Sequence, residues 1–479
     1  LGGHSLAAAQ ARSRIQSALG VELSLRAIFE DQTLAALARR IESSAVPQWK
    51  KTLPPLERVP RTELLPASYA QELMWQLEQQ EPASPTHWIE VGVRIRGPLD
   101  AARLVRSVQA AIQTKETLRT VFREHTGVLS QVVLPPHTPE VPLLDAPWSS
   151  VAALGRLDLT AAPAIRLALV RTHAEDHTLL VAVHRIFGDG LSMRLLIGEI
   201  GGLYIRSYGE TPTPIREPEI QYADFASWER AWLTGETLSQ QLAFWKRELG
   251  GATAAFALPT DYPRSAERRR HGSRIRFELP HAVSAAVQAL ATGERASLYM
   301  VLLAAFATAL GKYTGQPDVV IGSAVERRMQ PATEKMFGQF MNTLPLRIRL
   351  AERSRLRTLV SHVKAVLLSA LDHQDAPFGK VLAEAIVDHG PAALHLGQVM
   401  LVMGDPAGDK ALGQAGLALS LVEPQHVTSR RELTLVTTLA DGKILGTLTY
   451  DRELFTAETI ERIIKDFESA AAAAGDEEA

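Results

Sequence analysis

The stretch VAVHRIFGDGLS, Val181 to Ser192, has the residue types of an active-site loop. An apolar run that predicts a buried strand leads into His184 and Arg185, and a Gly-Asp-Gly turn then leads into a predicted helix. A histidine in such a loop can act as a general base near neutral pH. An arginine cannot, because a guanidinium has five donors, no acceptor and a pKa far above neutrality. Asp189 is suited to capping the helix that begins near Leu191.

A second candidate is Ser5, in the opening LGGHSL. A serine that begins an amphipathic helix is suited to capping that helix. The same position also favours a phosphodiester, because free backbone N–H groups and the positive end of the helix dipole face it. Both interpretations of Ser5 fit its immediate sequence.

Composition excludes several classes of function. The 479 residues contain 51 Lys and Arg against 53 Asp and Glu, a net charge of −2, so no overall charge draws the chain to nucleic acid or to an anionic membrane. There are no cysteines, which excludes disulfides, thiolate metal sites and cysteine nucleophiles. The longest apolar run, residues 296–310, is too short and too interrupted to span a bilayer. We predict a cytoplasmic protein without a metal, and its start at Leu1 rather than Met suggests a fragment of a longer chain.

The chain divides into four parts by its patterns. Residues 1–45 have apolar residues at helical spacing and predict a small helical module, which ends in the amphipathic stretch QTLAALARRIESS. Residues 46–66 are rich in proline and predict a semi-rigid linker. Strands and helices alternate in two further parts of comparable size, 67–235 and 236–475. The predicted fold class is therefore α/β, with two lobes behind a helical module.

These parts resemble a carrier domain followed by a condensation-superfamily domain of nonribosomal peptide synthetases. GGHS, residues 2–5 with His4 directly before Ser5, resembles the attachment motif of the carrier domain. Six further stretches occur in the order of the condensation family, which makes the resemblance specific. They are SYAQELMW (68–75), KETLRTVF (115–122), HRIFGDG (184–190), YADFASW (222–228), FGQFMNTLPLR (337–347) and HQDAPF (373–378).

The resemblance implies a fold and a set of site residues. The carrier serine, Ser5, would hold a phosphopantetheine arm. The two lobes would each resemble chloramphenicol acetyltransferase and form a V with a tunnel between them. In active members the motif is His-His-x-x-x-Asp-Gly, and its second histidine would orient or deprotonate the acceptor amine. In this chain the corresponding residue is Arg185. His184 and Asp189 would support the loop, and Gly190 and Asn342 would lie along the tunnel. We expect Asn342 alternatively to form a turn before the LPLRIRL strand.

Other motif positions depart from the family. Leu73 stands where an arginine is usual, Thr114 and Lys115 replace Arg-His, and Gly379 follows HQDAPF where an acidic residue is common. Three arginine pairs or triplets are interpreted as solvated faces, or alternatively as part of a docking surface. They are Arg268 to Arg270, Arg327-Arg328 and Arg430-Arg431.

Two functions compete. The His-Arg motif resembles the X-domains of glycopeptide-antibiotic synthetases, which make no peptide bond and recruit haem-thiolate oxygenases to the peptide on the neighbouring carrier. Gly190 departs from that subgroup, where a second aspartate is expected. The alternative is a working condensation domain, in which Arg185 would donate to a developing oxyanion. Epimerisation is disfavoured because it also needs the second histidine. The predicted partners are a carrier-bound peptide, neighbouring synthetase domains and trans-acting oxygenases, with neither nucleic acid nor membrane.

Overall fold

The computed structural model describes much of the chain, with gaps. The described residues are 11, 14, 15, 18, 19, 21, 23, 27, 28, 33–43, 53–61, 64–144, 158–161, 165–207, 217–252, 257–265, 270–350, 355–404, 417–422 and 427–475. Ser5 lies outside them. Within the predicted helical module, helix α1 (Leu34–Ser43) forms in the stretch predicted to be its last helix. In the linker, the Trp228 indole N–H donates to the carbonyl of Pro54 at 2.6 Å, which ties this segment to the following domain.

The first lobe is built on a five-stranded sheet and a small three-stranded sheet. Its central strand is the predicted apolar run before Arg185, and all nine of its residues are buried. Two amphipathic helices cover the large sheet with their apolar faces. The elements in chain order are β1 (Leu65–Pro66), α2 (Tyr69–Gln80), β2 (Trp88–Arg96), α3 (Ala101–Gln113), β3 (Thr120–His125), β4 (Val128–Val133), β5 (Leu143–Leu144), β6 (Ile165–His173), β7 (Asp176–His184), α4 (Gly190–Arg206) and α5 (Tyr222–Trp232).

The second lobe is built on a six-stranded sheet, whose strands lie in the order 341–349, 318–326, 399–403, 433–440, 443–451 and 272–278. One long helix, Leu298–Thr314, is buried along most of its length beneath this sheet. The elements are α6 (Gly235–Leu249), β8 (Gly272–Glu278), α7 (His281–Gly293), α8 (Leu298–Thr314), β9 (Asp318–Glu326), β10 (Met341–Arg349), α9 (Leu356–Asp372), α10 (Phe378–His389), β11 (Val399–Met403), β12 (Ala418–Val422), β13 (Leu433–Ala440), β14 (Lys443–Asp451) and α11 (Ala457–Ala472). Across the described residues, no single helix is long and apolar enough to cross a membrane; α7 and α8 reach that length only as a pair bent by 115°.

One strand of the second lobe's chain belongs to the first lobe's sheet. Strand β12 pairs antiparallel with β2, with Leu421 opposite Val93, and so forms an edge of the five-stranded sheet. The backbone hydrogen bonds of this pair join the two lobes directly. The lobes are therefore tied by main chain, in addition to side-chain contacts. The predicted division at residues 235 and 236 does not include this exchange.

Two of the sequence motifs pack against each other between the lobes. Tyr222 from YADFASW is fully buried, and its hydroxyl donates to the carbonyl of Gln339 at 2.6 Å. The neighbouring Gly338 approaches so closely that a Cβ there would lie 1.9 Å from Cδ2 of Tyr222. Since real Cβ contacts are much longer, only glycine fits at this position.

We expect Gly338→Ala to lower the free energy of unfolding by about 3 kcal/mol, because the added methyl forces Tyr222 or its backbone to move in a packed interior. The matched control is Gly198→Ala in the middle of α4, where a Cβ meets nothing within 4 Å. That change should raise stability by about 0.5–1 kcal/mol, since alanine favours helix over glycine. Urea denaturation of both variants measures the difference. Equal effects of the two substitutions would contradict the close approach at Gly338.

Candidate functional site

His184 is the last residue of β7 and lies 2% exposed in the interior. The backbone N–H of Ile186 donates to its Nδ1 at 3.2 Å. Nδ1 is therefore the acceptor of the ring, and Nε2 carries the proton and donates to Oε2 of Glu78 at 3.3 Å. Burial lowers the pKa of His184, although Glu78 opposes this effect. The ring is neutral at neutral pH and held in one orientation.

Glu78, on α2, holds the histidine from the other side. Its Oε2 accepts from His184 and also from Nδ1 of His87 at 2.5 Å, while the N–H of Ala83 donates to Oε1 at 2.8 Å. Burial alone would raise the pKa of Glu78, but these hydrogen bonds outweigh it and keep the pKa below its usual range. Glu78 was not among the predicted site residues. The only signal was its position at the end of the opening motif helix, on the polar side of an amphipathic pattern.

Glu78, His87 and His184 place their ligand atoms within 4.8 Å of one another, a separation that could hold a metal ion. The hydrogen-bond roles argue against it. The Ile186 N–H occupies the lone pair of His184 Nδ1, so that Nε2 carries the proton and has no lone pair for a metal. The geometry fits a hydrogen-bonded support for the loop.

We expect the free energy of unfolding to fall as the pH is lowered below about 6.5. Part of this loss comes from His184, which binds a proton more weakly in the folded state than in the unfolded state. Its depressed pKa means that the unfolded state takes up more protons in this range, with a slope of up to about 1.4 kcal/mol per pH unit. His184→Gln should reduce this slope, whereas His281→Gln, at an exposed position on α7, should not. Urea denaturation at pH 7.5, 6.5 and 5.5 tests this. An unchanged slope in His184→Gln would contradict it.

Asp189 caps α4 and anchors it to the second lobe. Its Oδ1 accepts from the N–H and the hydroxyl of Ser192, both at 2.8 Å. The guanidinium of Arg328 donates to both carboxylate oxygens, at 2.8 and 3.0 Å, and also to the Ser192 hydroxyl. Both partners of the ion pair are 1% exposed. The carboxylate of Asp189 therefore joins the start of α4 to the second lobe.

The interpretation of the arginine pairs as solvated faces is wrong for the residues that the structure describes. Arg327 and Arg328 are buried, with 7% and 3% of their surface exposed. Arg327 forms an ion pair with Glu229, and Arg328 forms one with Asp189. Arg270 pairs with Glu81 across the lobes. Arg430 and Arg431 are half-buried. Charge runs predict solvent exposure only where the fold supplies no partner, and here long-range contacts bury them. Arg268 and Arg269 lie outside the described residues.

Arg185 is the residue that the resemblance places at the second histidine of the motif. Its backbone N–H donates to the carbonyl of His87 at 2.7 Å, and its Nε donates to the carbonyl of Thr86 at 3.0 Å. Burial, and then repulsion from Arg430, lowers the pKa of Arg185 to about 9. The side chain remains cationic at neutral pH, so it holds no lone pair that could accept a proton from an amine.

Asn342 lies within β10, so the expected turn at this residue is wrong. Its Nδ2 donates to the carbonyls of Gln374 and Ala376, and its Oδ1 accepts from the N–H of Phe378. The amide therefore holds the HQDAPF segment against the strand and joins two of the sequence motifs in space. Gly190 begins α4, is exposed and has open space around its missing Cβ. An aspartate would fit there, so packing does not require glycine. A tunnel role for Asn342 and Gly190 stays a prediction.

Three residues that depart from the motifs make well-defined contacts in the structure. Leu73 on α2 packs against Gly379 on α10, where a Cβ would lie 3.5 Å from the leucine side chain. Two positions that depart from the motifs thus touch each other, in an apolar contact between the lobes. Lys115 is buried and donates to Glu199 at 2.6 Å. Its pKa is lowered by burial, against the pull of Glu199. These replacements preserve packing.

The comparisons with known proteins agree with this architecture. Residues 62–476 match the family described as Condensation domain, and residues 1–41 match the family described as Phosphopantetheine attachment site. The chain belongs to the condensation-domain family through residues 62–476, and its residues 1–41 are a carrier domain that bears phosphopantetheine on a serine. The predicted α/β fold with two chloramphenicol-acetyltransferase-like lobes is confirmed. Ser5 lies within the matched carrier residues.

Solved structures and curated relatives refine this assignment. The X-domain from teicoplanin biosynthesis superimposes with a TM-score of 0.78 and 26% identity, over 87% of this chain and 97% of that one. The X-domain in its complex with OxyB, also from teicoplanin biosynthesis, superimposes with a TM-score of 0.76 and 27% identity. This match covers 88% of this chain and 96% of that one. A linear gramicidin synthase of Brevibacillus parabrevis is 36% identical over 98% of this chain, which spans only 6% of that synthase. The dimodular nonribosomal peptide synthase of Bacillus subtilis (strain 168) is 34% identical over 97% of this chain and 20% of its own length.

Proposed function

We propose that the condensation-like domain is a docking platform that forms no peptide bond. The observation that carries this proposal is Arg185, a cation with no proton-accepting atom at the position of the family's second histidine. The loop around it is intact, since His184 is fixed by Glu78 and Asp189 by Arg328. An intact framework around a changed reactive residue fits a domain that keeps its shape for binding.

The proposed platform holds a trans-acting haem oxygenase beside a peptide tethered to the carrier. The similarity to an X-domain that forms a complex with OxyB supports this partner class. Ser5 is the proposed attachment point of the phosphopantetheine arm, and the peptide on that arm is the proposed substrate of the recruited enzyme. The proposed setting is the cytoplasm, where the chain works beside neighbouring synthetase domains. The proposed pathway is the biosynthesis of an antibiotic.

The second candidate is a working condensation domain that joins a donor on one carrier to an acceptor amine. The similarity to a linear gramicidin synthase, 36% identical over nearly all of this chain, favours it. In that reaction Arg185 would donate hydrogen bonds to the developing oxyanion and leave proton transfer to water. An epimerisation role lacks the base that it needs.

The test uses the full chain with a peptidyl phosphopantetheine arm loaded on its carrier. An aminoacyl carrier is offered as the acceptor, and products are followed by mass spectrometry. The platform predicts no new peptide bond, together with binding of a haem oxygenase from the same gene cluster in a pull-down. Ser5→Ala is the control that removes the arm without altering the platform. Turnover that requires Arg185, without oxygenase binding, would favour the second candidate.

A further inference from the structure

One residue of the carrier domain forms an ion pair with the condensation-like domain. Arg14 is a helical residue of the carrier, and its guanidinium donates to both carboxylate oxygens of Glu334, from Nε at 3.1 Å and from Nη2 at 2.8 Å. The hydrogen bonds from Arg14 are the main reason that the pKa of Glu334 lies below its usual value. Two paired N–H···O bonds fix the orientation of the two groups as well as their distance. This contact therefore defines a position for the carrier on the condensation-like domain.

Glu334 belongs to a segment that packs on the HRIFGDG loop. The segment is residues 330–340, between β9 and β10, and Met336 and Phe337 within it are buried. The ring of Phe337 lies against Gly188 of the loop, where a Cβ would be 3.0 Å from Cε1 and Cζ of the ring. The carrier thus contacts the same segment that packs against the loop.

The described part of the linker contacts the same surface. We call residues 53–61 the linker strap. Leu56 of the linker strap packs against a buried hydrophobic cluster built from both lobes, and Trp228 in this cluster donates to the carbonyl of Pro54. The cluster consists of Tyr222, Phe225, Trp228, Met336 and Phe340. Since Met336 lies two residues after Glu334, the linker strap and Arg14 contact neighbouring parts of one surface.

Ion pairs with buried carboxylates hold the linker strap in place. Arg61 donates to both oxygens of Asp224, at 2.6 and 2.9 Å, and to Oε2 of Glu116 at 2.8 Å. The N–H of Val59 also donates to Asp224, at 2.8 Å. Asp224 and Glu116 are almost fully buried, so release of the linker strap would leave both charges in the interior without this partner. The linker strap therefore stays bound, and it fixes the point from which the carrier is tethered.

The tether makes a weak contact sufficient to position the carrier. The side chains of Arg14 and Glu334 are 65% and 26% exposed, and an exposed ion pair contributes little by itself. The chain from Ser43, at the end of α1, to Leu53 of the linker strap can extend to at most about 36 Å. A carrier on so short a tether has an effective concentration on the order of millimolar. The ion pair therefore needs to supply only a preference for one position, and it remains easy to break.

We propose that the 330–340 segment is a docking surface for the carrier domain of the same chain, and that Glu334 recognises the carrier through Arg14. Docking holds the carrier beside the segment that contacts the HRIFGDG loop. Ser5 is nine residues before Arg14, so its Cα stays within about 32 Å of the Cα of Arg14. Breaking one exposed ion pair releases the carrier to its other partners. The surface serves a platform and a working condensation domain equally, and so is independent of the proposed function.

The experiment measures the distance between the two domains in the full chain by pulsed electron spin resonance. The chain has no cysteines, so Ala38→Cys on α1 and Ala231→Cys on α5, both at exposed positions, introduce a single pair of spin labels. We expect a narrow distance peak for the docked carrier. Glu334→Arg should lower the ratio of docked to undocked carrier at least about threefold, because it replaces an attraction by a repulsion. An increase in salt from about 0.05 M to about 1 M should also lower this ratio, because screening weakens an exposed pair.

A charge swap separates the ion pair from a general effect of charge. Arg14→Glu alone should lose the docked peak, and the double variant Arg14→Glu with Glu334→Arg should recover it. Glu461→Arg, at an exposed position on α11, is the matched control and should leave the peak unchanged. A broad distribution without any substitution of the pair, no recovery in the double variant, or an equal loss in Glu461→Arg would overturn the docking surface. Oxygenase binding does not enter this measurement, so a failure of that binding counts against the platform alone.

Discussion

Arg328→Met should lower the free energy of unfolding by about 3–5 kcal/mol, the largest loss of stability expected for a single side chain here. The carboxylate of Asp189 is 1% exposed and takes two hydrogen bonds from Arg328. Removing the guanidinium leaves this charge in the interior with only the Ser192 groups and the N–H of Phe340 as donors. Since domains are stable by only about 5–15 kcal/mol, such a loss would be visible as separate unfolding of the lobes or as poor folding.

The matched control for this prediction is Lys443→Met. Lys443 donates to Glu278 at 2.6 Å, but the two side chains are 45% and 47% exposed, so the pair should contribute at most about 1 kcal/mol. The double variant Asp189→Asn with Arg328→Met should be less destabilised than the sum of its single variants, because the buried charge is gone. Guanidinium denaturation measures all four. If Arg328→Met were as mild as Lys443→Met, Asp189 would not depend on its ion pair.

Arg185→His is expected to gain peptide-bond formation over the wild-type chain, by about 10²–10⁴-fold if the missing base is the main defect. The backbone of residue 185 is fixed by its hydrogen bond to the carbonyl of His87, and His184 is fixed by Glu78. A histidine placed there has a lone pair that can accept the proton of an amine near neutral pH. The measurement is the product yield by mass spectrometry with loaded donor and acceptor carriers.

Arg185→Gln separates the two possible reasons for a gain. It removes the charge and shortens the side chain without supplying a base, so it should remain inactive. A gain as large in Arg185→Gln as in Arg185→His would show that obstruction by the arginine, and not the missing base, suppresses the reaction. Turnover by the wild-type chain at a similar rate would contradict the platform.

Local patterns were sufficient for much of the fold. The apolar run before His184 predicts a strand that is buried on both faces, and β7 is buried at every residue. The Gly-Asp-Gly turn predicts a capped helix, and Asp189 caps α4. The last predicted helix of the helical module is α1, and the order of the six motifs was sufficient to indicate the family that residues 62–476 match.

Other features arise from residues far apart in the chain. Glu78 holds His184 across 106 positions, and Arg328 holds Asp189 across 139. The exchange of β12 into the first sheet and the contact of Leu73 with Gly379 are likewise invisible to periodicity. A turn was the alternative expectation for Asn342, because asparagine favours turns, whereas the residue lies in strand β10 and its amide bonds to the HQDAPF segment.

The stretch VAVHRIFGDGLS shows where the two kinds of information divide. By itself the sequence determined that residue 185 cannot be a base, because that follows from the chemistry of the guanidinium alone. It could not determine what surrounds the arginine, because burial and charge pairing depend on which distant residues the fold brings near. Only the tertiary structure showed that the backbone of Arg185 is held by the carbonyl of His87 and that the carboxylate of Asp189 pairs with Arg328. The physical reason is that an ion pair depends on distances in space, which sequence spacing does not fix.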